Sequence, residues 1–365
     1  MTTDPSTPAP GDPSRAAGDP SAAPGATPSP GAEPAFGPVF GDLPAEPAER
    51  ASGQGTGLGS APATTSSSAV ARILTVLYAL VVTPLATGLI VYGGAPWQQH
   101  LVMRLGDLGS LLEMLLSPSG LTALLASAAG LLLLVSVVAT GLASSAGLLS
   151  VGALSMVPLA FTVMPQLLTP LFEVLPRFLL VATGGLFGQG PALLLYPVLG
   201  GLGMALVIAR RRPGPHQALS LLGAVVLPLV MLAGTLLIMN GTATAMRSFA
   251  QSFGTGPLDV MVLLLLVVGM VLLWLGVAGA GRSPFALVLP AFAVLAYSAV
   301  LLAPDLLTML HTGLIFSPTG SALMMVMVVG TGPAIGLVLL AHTVVQWIVT
   351  SRARRRLPIP ATATS

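Results

Sequence analysis

One histidine, His342, lies deep in an apolar stretch of the sequence, and Gln346 stands one helical turn beyond it. An imidazole and an amide at that spacing can relay a proton or bond a neighbouring helix. The second is the commoner use of a polar pair inside a membrane helix. Ionisable groups expected on the outer side flank the apolar stretches: Asp107, Glu113, Glu173, Asp259 and Asp305 with Arg104, Arg177, Arg247 and His311. Glu173 precedes Arg177 by four positions, the favourable order for an ion pair on one helix face. Asn240-Gly241-Thr242 fits the glycosylation acceptor pattern. Ionisable groups within a membrane mark ion and proton pathways. Their near absence here weighs against a pump or a proton-coupled carrier.

The patterns that most enzymes need are missing. The sequence has no His-Glu-x-x-His, no glycine loop ending in Lys-Ser/Thr and no Gly-x-Ser-x-Gly. Ser144, Ser145 and His342 form no arrangement suited to proteolysis within the membrane. With no cysteine, disulfides, thiolate metal sites and thiol catalysis are excluded. The expectation is a non-enzyme with no catalytic residue, metal or cofactor. Its candidate interaction surface comprises Arg104, Asp107, Glu113, Glu173, Arg177, Arg247, Asp305 and His311.

Charge falls on 7% of the residues and 54% are apolar. A soluble domain carries roughly 25% charged residues, so lipid must be the solvent for much of this chain. Residues 1–68 differ in kind: Pro, Ala, Gly, Ser and Thr dominate, and Asp-Pro-Ser recurs at Asp4, Asp12 and Asp19. Such a segment cannot offset its ordering entropy and is expected to be a disordered cytoplasmic tail. Its start has no basic patch followed by an apolar run, so the first span is expected to serve as an uncleaved signal. The membrane domain is assigned to 69–356, with halves 69–212 and 213–356, and 357–365 to a short C-terminal tail.

A spanning helix takes about 20 mainly apolar residues. Eight segments qualify: Val70–Gly93, Leu121–Gly141, Ala146–Met164, Pro191–Ala209, Ala218–Met239, Val260–Ala280, Pro284–Ala303 and Ser321–Val349. Phe178–Phe187 is apolar but glycine-rich, and could extend the fourth span, re-enter the membrane or form a ninth element. With the N-terminus inside, the inner ends carry Arg72, Arg210, Arg211, Arg212, Arg282, Arg352, Arg354, Arg355 and Arg356 and no acid. All five acids of the membrane domain fall on the outer side. This is the positive-inside pattern, and it predicts a multi-pass cell-membrane protein with both termini cytoplasmic.

The elements also suggest a repeated unit. Each odd span holds an interior proline, Pro84, Pro158, Pro228 or Pro290, where a helix is expected to kink. Even spans follow Ser117-Pro118-Ser119-Gly120, Gly188-Gln189-Gly190-Pro191, Gly254-Thr255-Gly256-Pro257 and Ser317-Pro318-Thr319-Gly320, which read as helix starts. Between them run amphipathic stretches, such as Leu101, Leu105, Leu108, Leu112 and Leu115 opposite Arg104, Asp107 and Glu113. Another sets Met246, Phe249 and Phe253 against Arg247 and Gln251. These read as interfacial helices on the outer leaflet. The fold class is therefore all-α: a polytopic bundle of about eight transmembrane helices in four repeated hairpins. In topology alone this resembles potassium-transporter families built from four span, pore-loop, span units. Gly120, Gly190, Gly256 and Gly320 take roughly the filter's place, although the residues around them do not match.

The functional expectation is a non-enzymatic envelope or assembly scaffold. Its partners would be the lipid bilayer and membrane or cytoplasmic proteins, not nucleic acid. The alternative is a passive channel or a carrier of uncharged or lipid-like substrates. Topology is directly testable because introduced cysteines are the only thiols. Ser110→Cys and Thr308→Cys should react with an impermeant thiol reagent in intact cells, and Pro213→Cys should not. Labelling at 213 from outside would reverse the orientation.

Overall fold

The computed structural model describes residues 65–103, 113–114, 116–167, 173, 190–211, 217–252, 259–282, 284–300 and 317–355. Residues 1–64 of the tail, Phe178–Phe187 and most of the amphipathic stretches lie outside the described residues. The described residues are helical, with no strand among them. Ten α-helices follow in order: α1 Thr65–Met103, α2 Pro118–Ala139, α3 Ala146–Leu154, α4 Met156–Val163, α5 Pro191–Arg211, α6 Gln217–Ser252, α7 Val260–Gly279, α8 Val288–Val300, α9 Pro318–Val326 and α10 Gly332–Arg355. Seven spans are long and apolar enough to cross a membrane, with α3–α4 and α9–α10 each counting as one. Of the segment read as the seventh of eight spans, the described part holds the apolar helix α8, and residues 301–303 lie outside the described residues. α8 follows a 3-10 turn over Pro284–Leu287.

Sequence dictates where these helices begin. The Ser117 hydroxyl accepts from the Gly120 amide at 3.0 Å, and the Ser317 hydroxyl from the Gly320 amide at 3.0 Å. Each is followed by proline in the first turn, where its missing N–H costs nothing. Gly120 and Gly320 are thus first-turn residues whose amides are held by caps, which is not the geometry of a filter. α7 starts later than the Gly254–Pro257 signal suggests. Its cap is Asp259, which accepts from the Met261 amide at 2.9 Å.

Two sequence expectations need correction. Met246, Phe249 and Arg247 do not begin a separate interfacial helix, because α6 runs unbroken to Ser252. Nothing in that stretch stops a helix, and Thr242 and Thr244 bond back to the carbonyls of Ile238 and Asn240 at 2.8 Å. Asn240 is therefore inside a helix, where it accepts from the Thr319 hydroxyl at 3.4 Å, and not on a glycosylation loop. The prolines also differ in setting. Pro84 and Pro228 stand within continuous helices, whereas Pro158 and Pro290 are the third residues of α4 and α8, where a helix tolerates them.

Large apolar side chains cover the outside of the bundle, among them Val81, Leu132, Val260, Leu289 and Trp347, as lipid-facing positions require. The centre is α5, whose span is 83% buried, against 22–56% for the other six. Leu193, Leu194, Leu195, Leu199, Leu202 and Leu206 are all fully enclosed. Glycines make that enclosure possible. A Cβ on Gly200 would lie 2.5 Å from the Gly152 Cα of α3, and one on Gly201 2.8 Å from the Trp274 carbonyl oxygen of α7. The two outer hairpins are built alike. A Cβ on Gly130 of α2 would lie 2.6 Å from the Ala86 carbonyl oxygen of α1, and one on Gly269 of α7 2.9 Å from the Gly234 carbonyl oxygen of α6.

Filling these contacts must push helix backbones apart. Gly130→Leu, Gly201→Leu and Gly269→Leu should each lower stability by about 1–3 kcal/mol or more, read as a reduced melting temperature in detergent. Gly223→Ala, whose Cβ would find its nearest neighbour at 3.6 Å, should melt like the parent.

Candidate functional site

The predicted interaction surface is only partly in view. Glu113, Glu173 and Arg247 are exposed. Arg104, Asp107, Arg177, Asp305 and His311 lie outside the described residues. Asp259, counted with the outer acids, is committed to capping α7. Among the described residues, no three His, Asp or Glu side chains come together in a way that could hold a metal ion.

Most polar groups inside the bundle are used by the helices themselves. The hydroxyls of Thr87, Thr162, Thr242 and Ser298 bond carbonyls four residues back, at 2.7–2.9 Å. Tyr196, enclosed at the heart of α5, hydrogen-bonds Thr87 of α1. Among the described residues, polar atoms buried without a hydrogen-bond partner remain on Thr83 of α1 and at two further places.

The first is near the end of the bundle that carries Arg210, Arg211, Arg282 and Arg352, called here the arginine end. Gln346 donates from Nε2 to the Ala280 carbonyl at 3.1 Å, tying α10 to the turn that ends α7. Arg210 makes the matching bond in the first half, donating to the Gly141 carbonyl in the turn that ends α2. The amide of Gln346 thus does what the sequence suggested, bonding a neighbouring helix. Its Oε1 and both ring nitrogens of His342 have no partner, although both residues are fully buried. His342 and Gln346 share one face of α10 by their spacing, and among the described residues no hydrogen bond joins them to a further titratable group.

The second place is the break between α9 and α10. Residues Met327–Thr331 form a π-helical stretch, and Gly330 has φ of 97°, a left-handed conformation that favours glycine. Gly94 of α1 sits so close that a Cβ there would lie 2.0 Å from the Val329 carbonyl oxygen. Thr331 is fully buried and its hydroxyl has no partner, as is also true of Thr83. Gly190, immediately before α5, also has positive φ, at 98°, and abuts the Val326 side chain just ahead of the break. No sequence signal marked Gly330 or Thr331, because a glycine in an apolar run does not reveal its dihedral.

Cavities open at the bundle's surface among the described residues. One, of about 390 Å³, lies between α6, α8 and the broken span and is lined by Pro228, Leu232, Pro290, Tyr297, Leu323 and Met327, among others. Another, of about 530 Å³, lies between α5, α6 and α7 at the arginine end, with Met204, Ile208, Leu227, Trp274 and Leu275 as walls and Arg282 at its edge. Both are walled almost wholly by hydrocarbon.

The buried pair at the arginine end makes a discriminating prediction. Gln346→Leu strips the Ala280 carbonyl of its partner and should cost about 0.5–2 kcal/mol. His342→Leu removes two unpartnered nitrogens from an apolar site and should leave the melting temperature unchanged or raised. A drop for His342→Leu as large as that for Gln346→Leu would mean the ring is bonded. No protein-family model, curated protein or solved structure matches this chain, so function has to be argued from its own geometry.

Proposed function

We propose that this chain is a non-enzymatic scaffold of the cell membrane, with both termini cytoplasmic, that gathers membrane or cytoplasmic proteins around a rigid helix bundle. The observation that carries this reading is the leucine-packed centre. An aqueous channel needs a polar or at least hollow axis, and here the axial position is taken by α5, sealed on both sides by glycine contacts with α3 and α7. The exposed charges Glu113, Glu173 and Arg247 support a role for the far end in contacting partners.

The halves of the membrane domain are best read as two copies of one plan. Gly130 and Gly269 make corresponding contacts with α1 and α6, and so do Gly93 and Gly241, which abut Ser127 and Leu266. Both pairs fit a single shift in numbering for each helix. Pro197 and Pro333 are related by the same shift as Arg210 and Gln346, which bond the carbonyls of Gly141 and Ala280. Pro84 and Pro228 miss the glycine register by one helical turn. The duplication is therefore carried by glycines and two carbonyl bonds, and it favours a two-fold over a four-fold plan.

A carrier of lipid-like molecules is the second reading, favoured by the side-opening cavity between α6 and α8. Cysteine scanning separates the two. Leu195→Cys, Leu199→Cys and Leu202→Cys should all resist a small water-soluble thiol reagent in membranes. Successive reaction along α5 would indicate a water path and overturn the scaffold.

A further inference from the structure

We propose that the cleft between α5, α6 and α7 at the arginine end binds one anionic phospholipid, with its phosphate on the Arg282 guanidinium and an acyl chain along Leu227, Trp274 and Leu275. The cleft of about 530 Å³ exists because α6 stands away from α5 here. Gly223 of α6 illustrates the gap: among the described residues, a Cβ added there would touch only Leu227, at 3.6 Å. On the other wall the contact is tight, since a Cβ on Gly279 would lie 2.5 Å from a Leu227 methyl. The cleft is thus a gap between packed helices with an apolar floor.

The position of Arg282 is fixed from below. It ends the 3-10 turn Ala280–Arg282, in which Ala280 and Gly281 are buried. Gly281 is pressed against Ala205 of α5, where a Cβ would meet the carbonyl oxygen at 2.5 Å. Gln346 holds the same turn through the Ala280 carbonyl. Arg282 itself is exposed and forms no ion pair among the described residues. Of the described acids, Asp259 caps the start of α7, at the other end of that helix from Arg282, and Glu113 lies just ahead of the start of α2. Arg210, by contrast, is committed to the Gly141 carbonyl.

A guanidinium that has no ion pair among the described residues and stands above an apolar cleft selects an amphipathic anion. Hydrocarbon fits the walls, and Val226 and Leu275, at 44% and 48% exposure, leave the cleft open sideways to lipid. A soluble anion could meet the arginine but would gain nothing from the walls. An acidic peptide would have to bury its backbone amides against leucine and valine without partners. Arginine-rimmed pockets between membrane helices suit phosphate headgroups for these reasons.

The test uses the full-length protein purified in a neutral detergent. Melting temperature and native mass spectrometry are followed with added phosphatidylglycerol, phosphatidylcholine or inorganic phosphate. Phosphatidylglycerol should bind and raise the melting temperature, with phosphatidylcholine weaker and inorganic phosphate without effect. Arg282→Gln should weaken phosphatidylglycerol binding about fivefold to tenfold, the loss of one basic contact at a membrane surface. Arg282→Lys should keep most of it, and Arg247→Gln, at the far end, all of it. Gly223→Leu, which projects into the cleft while leaving Arg282 intact, should reduce binding as well. Equal binding of the two lipids, a response to inorganic phosphate alone, or indifference to Arg282→Gln would each overturn the proposal.

Discussion

In hydrocarbon a helix gains nothing by exchanging lipid for another helix's leucines, so this bundle depends on how closely its backbones can approach. Glycine sets that distance. At the contacts of Gly130 with Ala86, Gly152 with Gly200, Gly201 with Trp274 and Gly269 with Gly234, no side chain separates the helices. Dispersion between backbones and short carbonyl contacts then supply the cohesion that the hydrophobic effect supplies in water. The leucines at the centre fill space left by this framework. They do not drive it.

From that packing follows the division of the molecule. α5 is gripped by α3 and α7 and becomes a dry axis, while the broken span α9–α10 passes along α1 with its discontinuity at Gly330. Backbone that departs from the α-helix is tolerated at membrane depth only where protein covers it. Gly94 and Ile90 provide that cover. At the arginine end, two side chains complete carbonyls that the turns after α2 and α7 leave open. Polar chemistry inside the bundle is therefore spent on holding it together. The exceptions inside it, among the described residues, are the unpartnered atoms of Thr83, Thr331, His342 and Gln346.

Much of this was legible in the sequence. Apolar runs located α1, α2, α5 and α7, because a span must be long and free of charge. Ser117-Pro118 and Ser317-Pro318 marked helix starts, because a hydroxyl cap and a proline in the first turn act locally. The Gln346 bond to a neighbouring helix also followed from an amide in an apolar run. Other features were not legible, since they depend on partners distant in sequence. The unbroken course of α6 to Ser252 and the positive φ of Gly330 have no contiguous sequence signal. The glycines that touch across helices are likewise not told apart from other glycines in apolar runs. The cleft at Arg282 combines residues from three helices and has no contiguous signature.

The central claim is that the axis of the bundle is sealed. Purified protein reconstituted into vesicles and subjected to an osmotic step in a stopped-flow instrument measures this directly, through the rate of shrinkage with sucrose and of re-swelling with glycerol or urea. The sealed α5 axis predicts rates equal to those of protein-free vesicles of the same lipid at every protein density. Water or glycerol flux that rises with the amount of protein would contradict it.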